Sequence, residues 1–183
     1  MSNVSVLGIA GSLRRASVNR GLLRAAVDVA PSDIRLEVID IAGVPLYDGD
    51  IEEQGDPPAV VELKQRIIGS DALLIATPEY NRGMPGVLKN ALDWASRPPE
   101  KALQGAVVAL MGATPGGYGT RSSQFQVRQI LGNPGALVMP KPEVWVSHAG
   151  DKFDEDGNLT DDATRELVAG LLAALGDLVR VLR

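Results

Sequence analysis

Ser12, Arg14, Ser17 and Asn19 place two hydroxyls, a guanidinium and an amide close together, immediately ahead of a helical pattern. That set suits a phosphate monoester, and each charge-assisted contact to one contributes about 1.5–3 kcal/mol. A helix N-terminus adds free N–H groups and a partial positive charge, and Gly11 lets a ligand approach the backbone closely. The plainer reading is a capped helix, with Ser17 or Asn19 as N-cap and Arg14 and Arg15 solvated. A second polar set, Pro78, Glu79, Tyr80 and Asn81, sits in a turn stiffened by Pro78, Pro85 and Gly86. It could wrap a planar ring, with Tyr80 against it and backbone groups reading its polar edge. The plainer reading there is a structural turn with Tyr80 filling the core. A third stretch, Gly112 to Arg121, carries four glycines and Thr114, and permits close backbone approach.

Other chemistries fail on spacing. The first loop lacks G-x-x-x-x-G-K-[ST], so it is no nucleoside-triphosphate loop. It also lacks G-x-G-x-x-G, since Gly21 falls inside the helix, and Asp40 then reads as a turn residue. Ser12 is no hydrolase nucleophile without a G-x-S-x-G elbow. The lone His148 reads as surface or supporting. The acidic run DKFDEDGNLTDD is a poor calcium loop. With Gly157 at loop position six, Lys152 and Ala163 occupy positions that need acids. A solvated turn leading to Thr160 as N-cap, with Asp161 and Asp162 on the helix dipole, is the better reading.

These loops need a scaffold, and the apolar pattern supplies one. Strand-like runs occur at Val4–Ile9, Ile34–Ile39, Ala72–Thr77, Ala106–Met111 and Ala136–Met139. Helical patterns alternate with them over Asn19–Ala30, Pro58–Ile68, Pro85–Ser96, Ser122–Leu131 and Thr160 to about Leu182. Continuous apolar strands alternating with helices predict an α/β, doubly wound five-stranded parallel sheet of order 2-1-3-4-5 in three layers. The polar loops then lie at the carboxyl ends of strands, where such sheets bind ligands. Gly43–Pro58 and Pro140–Gly157 read as long surface connections. The 183 residues suit one domain, 1–183. Within Pro85–Ser96 the apolar residues Val87, Leu88, Ala91, Leu92, Trp94 and Ala95 span an arc of roughly 160°. That is wider than one sheet face covers, and it predicts a neighbour against this helix.

Composition narrows the partners. A net charge of −5 and pI near 4.9 argue against a broad nucleic-acid face. The chain has no cysteine, which removes thiolate nucleophiles, disulfides and iron–sulfur clusters. No apolar run nears the 18 or so residues of a membrane span, and Met1–Ser12 lacks a signal-peptide pattern. The expected location is the cytoplasm, with no membrane partner.

GSLRRASVNR and PEYNRGMPGVLKNALDW together resemble the two signature segments of the bacterial NADPH-dependent FMN reductase family, which includes quinone, chromate and azo-compound reductases. The resemblance runs through nearly the whole chain in strand and helix order and implies a flavodoxin-like fold. It implies FMN as cofactor, with Ser12, Leu13, Arg14, Ser17 and Asn19 at its phosphate. It likewise implies Pro78, Glu79, Tyr80 and Asn81 at the ring and ribityl, with Thr114, Pro115, Gly116 and Gly117 closing on the flavin. The implied reaction is hydride transfer from NADPH or NADH to flavin N5, followed by reduction of a small-molecule acceptor at the same face. No residue need act as acid, base or nucleophile, because the cofactor carries the chemistry. A homodimer or homotetramer through the Pro85–Ser96 helix is also implied. One departure stands out: Gly83 replaces a serine common in relatives, so a side-chain contact near the flavin is expected to be missing.

Overall fold

In the computed structural model, which describes residues 3–183, one parallel sheet organises the chain. Its strands are β1 (Val4–Ala10), β2 (Ile34–Ile39), β3 (Ala72–Ala76), β4 (Val107–Ala113), β5 (Leu137–Val138) and β6 (Val144–Val146). The helices are α1 (Val18–Asp28), α2 (Gly49–Glu52), α3 (Pro58–Ile68), α4 (Gly86–Ser96), α5 (Arg121–Gly132) and α6 (Asp162–Leu182). The order β2-β1-β3-β4-β5 is the expected doubly wound path. Met1 and Ser2, the start of the segment read for a signal, lie outside the described residues.

The fifth position departs from expectation. In place of one strand over Ala136–Met139, β5 pairs only with Val107 and Val108 of β4. The outer half of β4, Met111 to Ala113, pairs with β6, which lies inside the stretch read as a surface connection. Pro140 and Pro142 explain the division, since neither can donate to a ladder. The strand resumes at Val144–Trp145–Val146, where β-branched and aromatic residues return.

Side chains alternate between the two faces of the sheet, and each face has its own core. Val6, Leu74, Ala109 and Met111 pack toward α1 and α6, against Leu22, Val168, Leu171 and Leu175. Leu7, Ile9, Leu73, Ile75 and Leu110 pack toward α3, α4 and α5, against Leu63, Leu88, Leu92 and Val127. Burial on both faces is why the strands read as unbroken apolar runs.

Most of the wide arc of α4 is covered within the chain, with Val87 left half-buried, so the arc by itself does not require a neighbour. Trp94 is wholly buried. Its Nε1–H donates to the Pro45 carbonyl at 2.9 Å, and the Tyr47 ring meets its edge at a centroid distance of 5.0 Å. Asn90 holds the same excursion, donating to Pro45 O and accepting from the Tyr47 N–H. One expected helix cap also moves. Asp161, not Thr160, caps α6, and its carboxylate accepts from both the N–H and the hydroxyl of Thr164. A charged acceptor at that position outcompetes the hydroxyl one residue earlier.

Candidate functional site

Because β1, β3 and β4 run parallel, the three loops marked in the sequence emerge at one end of the sheet. The Gly11 N–H donates to Ala76 O and the Thr77 N–H to Met111 O, so the loop bases are laced together. The first loop then leaves the sheet and enters α1. Ser17 is the N-cap: its hydroxyl oxygen accepts from the N–H groups of Asn19 and Arg20. Its hydroxyl hydrogen remains available to a ligand. Ser12 is buried, and its oxygen accepts from the Arg14 N–H at 3.4 Å.

Between these hydroxyls the backbone is uncommitted. Among the described residues, the N–H groups of Leu13, Arg15, Ala16 and Ser17 meet no acceptor and the Arg14 guanidinium makes no ion pair. Leu13 and Arg15 are exposed, but Ala16 is half-buried and Ser17 buried, and N–H groups so placed are rarely left without an acceptor. A cradle of free donors at the positive end of α1 fits an anion.

Asn19 is differently employed. Its amide donates to Ala113 O and its carbonyl accepts the Ala113 N–H, both at 2.9 Å, with the side chain almost fully buried. It ties α1 to the end of β4, leaving one amide hydrogen for any ligand.

The second loop is a two-residue hairpin. Tyr80 and Gly83 exchange both backbone hydrogen bonds at 2.9 Å, and Asn81 and Arg82 between them have φ of 51° and 64°. Positive φ at both central residues makes this a type I′ turn. Tyr80 is half exposed, so it does not fill the core. Glu79 reaches across to α5, where its carboxylate accepts the Ser123 N–H at 3.2 Å. It serves as the cap that Thr120 does not supply. Thr77 and Ser123 share a buried hydroxyl pair at 2.8 Å.

Gly112 makes this junction possible. A Cβ there would overlap Thr77 O and the Thr120 hydroxyl. At Gly83, the Gln126 carboxamide occupies the space a side chain would enter, and its oxygen accepts the Met84 N–H at 3.0 Å. A serine at 83 would require Gln126 to move.

The third loop is pinned from below. The Thr114 N–H donates to Val146 O, the His148 N–H to Gly116 O and the Ala149 N–H to Thr114 O. Pro115, Gly116 and Gly117 stand exposed above that base, and the last two N–H groups find no acceptor in the chain. His148 supports the loop, its ring set against Gly117.

These pieces enclose one cleft of about 430 Å³, lined by Ser12, Arg14, Ser17, Asn19, Pro78, Glu79, Tyr80, Thr114 and Pro115. Glu79 and Thr114 also line an adjoining recess of about 470 Å³, which holds Asn81, Gly116 and Gly117. Of the residues expected at the site, only Leu13 lies on neither wall, and its side chain is exposed.

Sequence reasoning missed two contributors. One is the start of α5, Thr120 to Gln126, where the Ser123 hydroxyl meets Thr77, the Ser123 N–H meets Glu79 and the Gln126 carboxamide packs beside Gly83. The run TRSSQFQ signalled it. The other is the acidic run, which packs onto α1 and does not stand off as a solvated turn. Phe153 and Leu159 pair across it, and Gly157 backs directly onto Gly21 and Ala16. Asp154 and Glu155 thereby line the cleft. The Asn158 backbone N–H and side chain hold the Asp154 carboxyl below its ordinary value.

Comparison with known proteins places the chain in a family. A family model described as NADPH-dependent FMN reductase matches residues 4–151. The chain is 47% identical over 181 residues to an NAD(P)H-dependent FMN reductase of Pseudomonas aeruginosa, covering 99% of this chain and 98% of that protein. It is 42% identical over 160 residues to a 2-hydroxy-1,4-benzoquinone reductase of a Burkholderia species, covering 86% of each. Among solved structures, the flavoenzyme FerB, an NAD(P)H:(acceptor) oxidoreductase of Paracoccus denitrificans, superposes with a TM-score of 0.87 at 33% identity over 97% of both chains.

Proposed function

Because this chain belongs to the NADPH-dependent FMN reductase family, and so is an FMN-dependent NAD(P)H oxidoreductase, we propose that FMN lies in the three-loop cleft and that quinones are its acceptors. The observation that carries the placement is the set of uncommitted N–H groups of Leu13, Arg15, Ala16 and Ser17, flanked by the side chains of Ser12, Ser17 and Arg14. These residues would hold the phosphate. Pro78 to Asn81 would present backbone and an exposed tyrosine to the ring, and Thr114 to Gly117 would close over it. Bound FMN supplies the two-electron redox chemistry.

What the chain does is bind and orient. Glu79 is committed to α5 and acts as a brace between the second and third loops. Asn19 fixes the distance between α1 and β4. No group in the cleft is placed as a strong acid or base, which fits chemistry borne by a cofactor.

The reading extends to the whole chain, 1–183, as one FMN-binding domain working in the cytoplasm, where reduced nicotinamide nucleotides are available. Quinone acceptors draw support from the relatives named as quinone reductases in Burkholderia, Solanum tuberosum and Escherichia coli. Flavins, chromate and azo compounds fall within the same small-acceptor class. A homodimer or homotetramer through the Pro85–Ser96 helix belongs to this reading too. It would use the half-buried outer residues Val87, Lys89, Asn90 and Asp93, since the rest of the apolar arc is already covered.

The purified protein should be yellow or bind added FMN, bleach on anaerobic NADPH and recover its colour with a quinone. Initial rates with both substrates varied should give parallel lines, because donor and acceptor share one face in turn. Intersecting lines would remove the shared-site reading, and a protein that neither holds FMN nor bleaches would remove the function.

A further inference from the structure

The recess beside the flavin cleft carries a feature that FMN binding does not explain. Arg82 occupies the second central position of the type I′ turn, at φ 64°, where glycine is the favoured residue. Its guanidinium lies 4.5 Å from the centroid of the Tyr118 ring. Arg121 lies 5.6 Å from the same ring and 4.2 Å from that of Trp145. Stacking orients a planar guanidinium while leaving its edge donors free.

Those donors are unclaimed. Neither arginine has a carboxylate partner among the described residues, and Arg121 gives one N–H to Tyr118 O at 2.8 Å. Glu79, the acid on this wall, faces the Ser123 N–H. Two cations held against one aromatic ring repel each other, and an anion between or beside them relieves that repulsion. The Gly116 and Gly117 N–H groups line the same recess without acceptors. An unfavourable backbone state that carries an unpaired cation into a cavity points to function.

Resting on the reading that this cleft takes FMN and a nicotinamide donor, we propose that Arg82, carried on Tyr118 and seconded by Arg121, binds a phosphate of the donor dinucleotide. The chemistry narrows to that reactant by position. The FMN phosphate belongs at Ser12–Ser17, on the far side of Glu79 and Thr114. A quinone, unlike a flavin or chromate as acceptor, carries no charge, so with a quinone only the donor brings an anion to this recess. The donor is the remaining reactant with phosphates, a pyrophosphate in NADH and an additional 2′-phosphate in NADPH.

The test is Arg82→Gly, which converts the turn to Asn-Gly, the preferred type I′ pair. Its melting temperature should equal or exceed that of the parent, whereas a purely structural arginine would lower it. FMN affinity and the reoxidation of dithionite-reduced enzyme by quinone should stay at parental values. If the parent itself lacks these two properties, the functional reading fails and this inference is not the cause.

The donor's kcat/KM should fall about ten- to a hundred-fold, the loss of one charge-assisted contact. A fall with NADPH alone identifies the 2′-phosphate; a fall with NADPH and NADH alike identifies the pyrophosphate. Dihydronicotinamide riboside, which has no phosphate, should be used equally by parent and variant. Tyr118→Leu, which removes the platform, should reproduce part of the loss. Donor kinetics unchanged in Arg82→Gly, or an equal loss with the riboside, would overturn the proposal.

Discussion

A cavity of about 590 Å³ between α1, β2 and residues 158–165, and the smaller 430 Å³ cleft at the first loop, differ in what their arginines do. In the larger one Arg20 donates to Ser12 O and Asp40, Arg24 to Asn158 Oδ1 and Gly157 O, and Arg165 to Leu159 O. Its cations hold the walls together. In the smaller one the Arg14 guanidinium and the N–H groups of Leu13, Arg15, Ala16 and Ser17 hold nothing among the described residues. Size and uncommitted donors therefore rank these two spaces in opposite orders, and the placement of FMN proposed above follows the donors. An uncommitted polar group in a folded protein is unfavourable unless something else binds it.

The largest effect should come from the wall the two spaces share. Gly21 lies on α1 where Gly157 of the acidic turn backs onto it, and a Cβ there would overlap the Gly157 carbonyl oxygen. Both partners are backbone, so neither can swing aside. Gly21→Ala should destabilise the protein by about 3 kcal/mol, near the upper end for overpacking. For a chain of this length that lowers the melting temperature by about 6–12 °C. FMN affinity should fall with it, because the displaced turn carries the Phe153–Gly157 side of the cleft. A variant that melts like the parent would mean the turn does not rest on α1.

The comparison itself is tested by exchanging one arginine from each space. Arg14→Ala should weaken FMN binding by about 1.5–3 kcal/mol, roughly ten- to a hundred-fold by fluorescence titration, and leave melting unchanged. Arg24→Ala should do the reverse. Losing its bonds to Asn158 and Gly157 should lower stability by about 1–2 kcal/mol while FMN affinity moves less than about three-fold. Equal effects of the two variants on both measurements would erase the distinction between the cavities.

Much of this was legible before any coordinates. The sheet order followed from continuous apolar strands alternating with helices, and the three loops followed from where polar residues meet strand ends. What stayed hidden was set by partners distant in sequence. Asn19 reads as a ligand contact because nothing local shows that Ala113 claims both ends of its amide. Trp94 reads as awaiting a second chain because the Pro45 carbonyl that covers it belongs to an irregular excursion without apolar periodicity. Strand β6 was lost for the opposite, local reason. The prolines before it imitate a surface connection, and three residues are too few to show an alternation. The acidic run offered charge but no sign of Gly21, whose missing side chain is what admits it.

The smallest effect concerns the link between the two spaces, and pH exposes it. The Ala42 N–H, with Arg20 beside it, holds the Asp40 carboxyl below its ordinary value. The same arginine donates its Nε–H to Ser12 O, so Asp40 steadies the phosphate loop through Arg20. A carboxylate whose folded pKa is depressed contributes stability that is present above its unfolded value of about 3.9. That stability is lost as pH falls through the folded value. Asp40→Asn keeps an oxygen for the Ala42 N–H and removes only the charge. Its side chain is 55% exposed, so screening limits the ion pair to about 0.5 kcal/mol. Urea midpoints of parent and variant should therefore differ slightly and constantly from pH 7 to about pH 5, then converge toward pH 3. Added salt should shrink the neutral-pH difference. A gap that widens below pH 4 would show that Asp40 is not the charged partner of Arg20, and the larger cavity would then hold an uncommitted arginine of its own.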